Sequence, residues 1–225
     1  MVNGRSYRQS CGIARALDLV GERWALLVVR ELVLGPKRFT DLRHGLPGIA
    51  TNVLSQRLQQ LERDGIVTRR LLPPPAASAV YELTEYGRDL VPVILALGRW
   101  GARSLGSQPP DYALRSEWLG VALQAFYQPE AAKGLSATIG FEFDDGAFTV
   151  RLDRGRLEVT PGLADHADLT VRTDPDMLVG FLARGPVPAD ALRPEGDRDL
   201  FERLPAIFAF GGDRLTPPRS ATASG

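Results

Sequence analysis

Cysteine is nearly absent from this chain. Cys11 stands alone, which rules out an internal disulfide framework and fits a reducing compartment. Histidine is almost as scarce: His44 and His166 lie far apart, without Cys, His or Glu neighbours at ligand spacing, so no metal site is expected. Lysine occurs only as Lys37 and Lys133, and every other side-chain cation is arginine. Long apolar runs are missing. Stretches such as residues 25–29 fall far short of the roughly 20 residues that cross a bilayer, and residues 1–10 lack the apolar segment of a secretory signal. No P-loop, nucleophile elbow or dinucleotide fingerprint occurs, so no catalytic residue and no cofactor is expected. Asp144-Asp145 and the pair Asp174 and Asp176 read as turn and cap chemistry. What remains is a cytoplasmic globular protein without membrane attachment.

What is present is divided unevenly. The 225 residues carry no net charge. Yet residues 1–106 hold 15 Arg and Lys against 9 Asp and Glu, a balance of +6, and residues 107–225 hold 12 against 18, a balance of −6. Two domains follow, only the first of which suits a polyanion. The expected division is 1–106, a linker at 107–112 that is polar and Pro-rich, a second domain at 113–210 and a disordered tail at 211–225.

The first domain is organised around residues 50–64. Leu54, Leu58 and Leu61 recur at i, i+4 and i+7, so they share one helix face, with Thr51 as the expected N-cap and Gly65 as the left-handed stop. The opposite face carries Asn52, Ser55, Gln56 and Gln59. An ordinary solvated face carries Glu and Lys pairs. This one carries uncharged groups that both donate and accept, which suits base edges in a major groove. Upstream, Gly35-Pro36-Lys37-Arg38-Phe39-Thr40-Asp41-Leu42 reads as a turn and then a short helix, capped near Thr40, that ends at Gly45-Leu46-Pro47-Gly48. Helix, tight turn and helix form a helix-turn-helix whose second helix reads the groove. Downstream, strand candidates at 66–72 and 80–83 flank Pro73-Pro74-Pro75-Ala76-Ala77-Ser78, giving a wing with Arg69 and Arg70 on its stem.

Helices are expected at 10–20 and 22–34, broken at Gly21, and a long one at 84–105, capped by Thr84 and either kinked or begun in its regular part by Pro92. Its apolar residues exceed what one small domain buries. The expected consequence is a homodimer whose interface uses Ile13, Leu17, Val93, Ile94, Leu97 and Trp100. Paired recognition helices would meet successive major grooves about 34–36 Å apart, at an inverted repeat of double-stranded DNA.

The second half alternates differently. A helix at 113–127 precedes strands at 137–143, 147–152, 156–160 and 167–172, with tight turns at Asp144-Asp145-Gly146 and Asp153-Arg154-Gly155. Helices follow at 174–183, capped by Asp174, and at 197–208. This pattern is an α+β domain, a mainly antiparallel sheet with helices on one side.

The run Arg15, Asp18, Gly21, Arg23-Trp24, Arg30-Glu31, Arg38-Phe39, Leu46-Pro47-Gly48-Ile49, Leu54-Ser55-Gln56-Arg57-Leu58 and Gly65, continued by Tyr81-Glu82-Leu83-Thr84, Gly87, Pro92 and Trp100-Gly101, resembles the HxlR family of winged helix-turn-helix regulators, relatives of the MarR group. The resemblance spans about residues 8–104. It implies a mainly α winged helix-turn-helix fold, a dimer, duplex DNA as ligand, control of a nearby promoter and a nucleoid-associated location. The second half more distantly resembles the sterol-carrier-protein fold, on the strands from Ala137, Asp174-Pro175-Asp176 and Gly196-Asp197. That resemblance implies an apolar cavity for a lipid or other hydrophobic small molecule, lined by Trp118, Phe126, Phe141, Phe143, Phe181, Phe201 and Phe208.

The base-reading residues are then Asn52, Ser55, Gln56 and Gln59, and Lys37, Arg38, Arg43, Arg69 and Arg70 face phosphates or the minor groove. Arg57 either joins them or braces the wing. His44 reads as a turn residue near DNA and His166 as a surface residue. Cys11, at the first helix start near Arg8 and Arg15, has two readings: a reactive thiolate, as in family members that sense oxidants there, or a small residue in the dimer contact. The family motif often reads Cys-Pro, where this chain has Cys11-Gly12. Three roles compete for the whole chain: a regulator, expected to be a repressor, with a ligand-sensing second domain; the same regulator with a dimerisation or protein-docking second domain; and a lipid carrier or enzyme, for which no catalytic constellation speaks.

Overall fold

The computed structural model describes residues 6–74, 78–105, 114–188 and 190–210. The expected linker at 107–112, the tail at 211–225 and the wing tip at Pro75-Ala76-Ala77 lie outside them. The chain divides into two units, Met1–Ile94 and Leu95–Gly225.

In the first unit, α1 (Gly12–Val20) stops at Gly21, and α2 (Ala25–Glu31) follows after Trp24, which adopts left-handed φ 78°. That outlier moves the start of the helix expected over 22–34 to Ala25, because a left-handed residue cannot lie inside an α-helix, and the helix ends at Glu31. A two-residue strand, β1 (Lys37–Arg38), precedes α3 (Phe39–Gly45), α4 (Thr51–Arg63) and the hairpin β2 (Val67–Leu71) and β3 (Ala79–Leu83). β1 and β2 pair antiparallel with opposite edges of β3. The sequence reading missed β1, which is too short to show periodicity and exists only because that edge of β3 is open.

The expected long helix over 84–105 is two helices. Thr84 caps α5 (Glu85–Arg88), its Oγ1 accepting the Gly87 N–H at 2.9 Å and donating to the Gly65 carbonyl at 2.6 Å. Gly87 abuts the Ile66 carbonyl, where a Cβ would collide. α6 (Val91–Ala102) starts afresh with Pro92 in its first turn, where a missing N–H costs nothing.

The second unit takes in α6 from Leu95 on and continues with α7 (Ser116–Phe126), β4 (Ser136–Phe143), β5 (Gly146–Asp153), β6 (Arg156–Pro161), β7 (Leu169–Thr173), α8 (Pro175–Leu182), β8 (Leu192–Gly196) and α9 (Arg198–Ile207). The strand order is β6-β5-β4-β7-β8, antiparallel except for the parallel pair β4 and β7, so the sheet is mixed. The β5–β6 turn has left-handed Arg154 and Gly155, the geometry that matches strand twist in a two-residue hairpin. Asp174 and Asp197 cap α8 and α9, accepting the N–H groups of Asp176 at 2.8 Å and Leu200 at 2.9 Å. β8 was not foreseen. Its Pro194 is tolerated because the strand is at the edge.

Alternate residues of this sheet face a core: Ile139, Phe141, Phe148, Val150, Leu169 and Val171 are buried. α7 packs on β5 and β6, and α9 on β7 and β8. On the other face Arg172 bridges Glu142, at 2.6 Å, and Glu195. The β6–β7 connection crosses that face, pinned by buried Thr149, which donates to the Gly162 carbonyl at 2.8 Å and accepts the Ala164 N–H at 2.9 Å.

Candidate nucleic-acid interface

α4 is seated by its apolar stripe. Leu54, Leu58 and Leu61 are buried, together with Leu42 of α3 and Leu46 and Ile49 of the connecting turn. Gly48, at φ 83°, makes that turn sharp. The N-cap of α4 is Ala50 rather than Thr51: the Ala50 carbonyl accepts the Leu54 N–H at 3.0 Å, so Thr51 is the first helical residue. Likewise α3 is not capped by Thr40. It starts at Phe39, and the Asp41 carboxylate accepts the Arg38 N–H at 3.1 Å. Gly65, at φ 70°, ends α4 as expected, and the Ile66 N–H returns to the Leu61 carbonyl at 2.9 Å.

The face opposite the leucines stands outward. Asn52, Gln56 and Gln59 are exposed and Ser55 is half-buried. Around them the cations differ in how they are held. Arg38, Arg43 and Arg69 are exposed. Arg70 forms a two-pronged fork with Glu82 across the wing, Nε to Oε1 at 3.0 Å and Nη2 to Oε2 at 3.1 Å. The fork holds Glu82 below the usual carboxylate range and Arg70 above the usual guanidinium value. Arg57 does not brace the wing. Its side chain, only 12% exposed, reaches Glu22 at 3.5 Å in the segment between α1 and α2. His44 is exposed in the last turn of α3 rather than in the turn after it, and His166 is on the surface.

Lys37 is drawn inward. Its ammonium lies 2.9 Å from Glu31, whose side chain is fully buried, and Arg30 donates to the other Glu31 oxygen at 2.7 Å. Arg30 also reaches the Gly45 carbonyl at 3.4 Å, and a Cβ on Gly45 would strike the Glu31 carboxylate. One carboxylate thus ties α2 to β1 and to the end of α3. Sequence reading passed over Glu31 as a residue of interest. The available signal was its place on the apolar stripe of α2, three residues after Val28 and next to Arg30.

Residues 19–109 match the HxlR-like helix-turn-helix family. A Bacillus subtilis (strain 168) protein, the uncharacterized HTH-type transcriptional regulator YdeP, is 36% identical over 95 residues, covering 42% of this chain and 74% of its own. The chain belongs to the HxlR family. A second relative, the uncharacterized HTH-type transcriptional regulator sll1512 of Synechocystis sp. (strain ATCC 27184 / PCC 6803 / Kazusa), is 39% identical over 104 residues, 46% of this chain and 77% of that one. Among solved structures, the reduced form of the transcriptional regulator YodB from B. subtilis is 32% identical, covering 45% of this chain and 100% of that one with a TM-score of 0.39. This HxlR protein is a bacterial helix-turn-helix transcription regulator, and its relatives' names as regulators point to a non-enzymatic role. No helix among the described residues is long and apolar enough to cross a membrane.

Other expected sites are placed as follows. Ile13, Leu17, Val93, Leu97 and Trp100 are exposed, with Ile13 at 74% and Trp100 at 72%. Ile94 is buried in its own chain, so it is not presented to a partner. Phe141 and Phe143 pack on Phe148, Phe181 stacks on Phe201 at 4.7 Å, Phe126 meets Phe210 and Phe208 meets Tyr127. Trp118 is half-buried on α7. Cys11 is the exposed N-cap residue of α1. The backbone N–H groups of Ala14 and then Ile13, rather than Arg8 or Arg15, hold its thiol below the ordinary value.

Proposed function

We propose that this regulator is a homodimeric repressor of an inverted-repeat operator in double-stranded DNA. Asn52, Ser55, Gln56 and Gln59 read base edges, and Arg38, Arg43 and Arg69 contact phosphates. The observation that carries this reading is the uncharged outward face of α4, set directly above the buried Leu54, Leu58 and Leu61 and flanked by a wing. Lys37 and Arg70 belong to the same surface but spend their charge on Glu31 and Glu82, so they contribute less to the phosphate term. Fluorescence anisotropy of the full chain on duplexes from the region upstream of its own gene tests the reading. A preferred duplex over scrambled competitor, with affinity falling as salt rises, supports it. Equal binding of all duplexes without salt dependence overturns it.

The dimer reading is supported by the exposed apolar residues of α1 and α6. Sedimentation at micromolar concentration should give a dimer, and Trp100→Glu a monomer. A wild-type monomer refutes it.

The second domain, residues 113–210, is proposed as a sterol-carrier-like sensor of an apolar small molecule. Its support is an aromatic interior enclosed by the mixed sheet with α7 and α9. Native mass spectrometry of purified protein should show a co-purifying lipid; bare protein, unchanged on adding lipid extract, favours a docking or dimerisation module. Cys11 supports a second, thiol-based mode of control, since it is exposed and biased toward thiolate. Release of operator by diamide in wild type but not in Cys11→Ser is the expected result. Equal release in both removes this mode.

A further inference from the structure

The two edges of the second sheet are finished differently. On β8 the Asp197 N–H donates to the Asp168 carbonyl at 2.8 Å, so by alternation Glu195 and Arg193 also bond to β7, and Leu192, Pro194 and Gly196 turn their backbone groups outward. Pro194 has no N–H to offer there, which closes that edge to another strand. On β6 the alternation is set by the two-residue turn at Arg154 and Gly155, whose flanking residues Asp153 and Arg156 bond each other. It persists to Gly162, whose N–H donates to the Ala147 carbonyl at 2.9 Å. Arg156, Glu158 and Thr160 therefore bond to β5, and Leu157 and Val159 present N–H and C=O to the open side. Among the described residues nothing pairs with that side. Before Pro161, β6 has neither proline nor lysine to protect it.

A second copy of this strand fits the open side. Placed antiparallel about a twofold axis at Leu157, the two Leu157 residues exchange N–H···O=C bonds, and each Arg156 faces Glu158 of the other copy at the closer, non-bonded spacing. Arg156 and Glu158 are exposed, and Leu157, half-buried at the rim of the core, gains an apolar neighbour. Moving the axis by one residue sets Glu158 against Glu158 or Arg156 against Arg156, and moving it to Val159 sets Leu157 against Pro161. The exposed Leu97 and Trp100 of α6 belong to the same unit as β6. There Arg99 donates to the Ala125 carbonyl of α7 at 2.9 Å, and α7 packs on β5 and β6. We propose that the β6 edges of two subunits pair about a twofold axis at Leu157, joining their five-stranded sheets into one continuous sheet. Two strand edges bury far less than a self-sufficient interface. The pairing therefore forms between subunits that α1 and α6 already hold together, and it rests on that dimer reading.

Disulfide scanning of the full chain in a Cys11→Ser background decides the register. At micromolar protein with oxidised glutathione, Leu157→Cys should link two subunits at least about tenfold faster than Glu158→Cys or Val159→Cys, because only a residue on the axis comes within about 7 Å of its own copy. In the Leu157→Cys chain, Arg156→Glu or Glu158→Arg should each slow linking about threefold to tenfold, and the two together should restore it. Equal rates at the three positions, or a slowing that the paired exchange does not restore, would overturn the pairing. Trp100→Glu should abolish linking at this concentration, and linking that survives it would overturn the dependence on α6. Sedimentation of the Cys11→Ser parent separates the two readings. A dimeric parent in which Leu157→Cys stays unlinked overturns the edge contact alone. A monomeric parent overturns the contact of α1 and α6. Linking through Leu157→Cys at about 1 mM chain would then uphold the edge pairing, and its absence would remove that as well.

Discussion

The Lys37 ammonium lies 2.9 Å from the Glu31 carboxylate, whose side chain is wholly shielded from water. A buried carboxylate is tolerated only with its countercharges, here Lys37 and Arg30. Glu31→Ala removes the buried carboxylate that both partly buried cations face, and should cost about 3–5 kcal/mol. Urea unfolding followed by circular dichroism measures it, and a loss below about 1 kcal/mol would show that the cluster behaves like a surface pair.

Two glycines should respond oppositely to the same change. Gly87→Ala drives a methyl group into the Ile66 carbonyl, which is backbone and already accepts the Thr84 N–H at 3.0 Å. The expected cost is about 1–3 kcal/mol. Gly98→Ala on α6 meets open space and should stabilise by roughly 0.5–1 kcal/mol. Thermal unfolding of the two variants side by side decides it; equal midpoints would contradict the close approach at Gly87.

Base reading and phosphate contact separate by salt. Gln56→Ala should reduce the preference for operator over scrambled duplex by roughly 1–3 kcal/mol while leaving the salt slope unchanged. Arg69→Ala should weaken all duplexes alike and lower the slope by about one. Arg70→Ala should lower it by less, because the Arg70 guanidinium is held by Glu82. Equal slopes for the two arginine variants would show that DNA breaks the fork.

The same fork predicts a pH dependence. Glu82 titrates below its ordinary value because Arg70 binds the charged form. Its contribution is therefore fully present above the unfolded glutamate value of about 4.3, and is lost as pH falls through the lowered folded value. Stability measured from about pH 6 down to about pH 3 should fall more steeply in wild type than in Glu82→Gln. Parallel profiles would mean that the exposed fork adds nothing to stability.

Cys11 should react as a thiolate at lower pH than free cysteine, because the N–H groups of Ala14 and Ile13 favour the anion. The rate of alkylation by iodoacetamide against pH gives the midpoint directly. A midpoint at or above that of free cysteine would remove the basis for thiol control.

Periodicity alone determined the parts of this protein whose reasons are local. The i, i+4, i+7 leucines of α4, the stop at Gly65, the cap at Thr84, the restart at Pro92 and the tight turns of the second sheet each follow from neighbours within a few residues. The family signature and the opposed charges of the two halves were legible in the same way. Only the tertiary structure decided what depends on partners distant in sequence. β1 and β8 exist because sheet edges accept them, not because their residues alternate. The wing-stem cations divide into exposed Arg69 and forked Arg70 only once Glu82 is known to lie across the hairpin. Glu31 becomes the tie between α2, β1 and α3 only when folding removes its carboxylate from water and leaves Lys37 and Arg30 to replace the lost hydration.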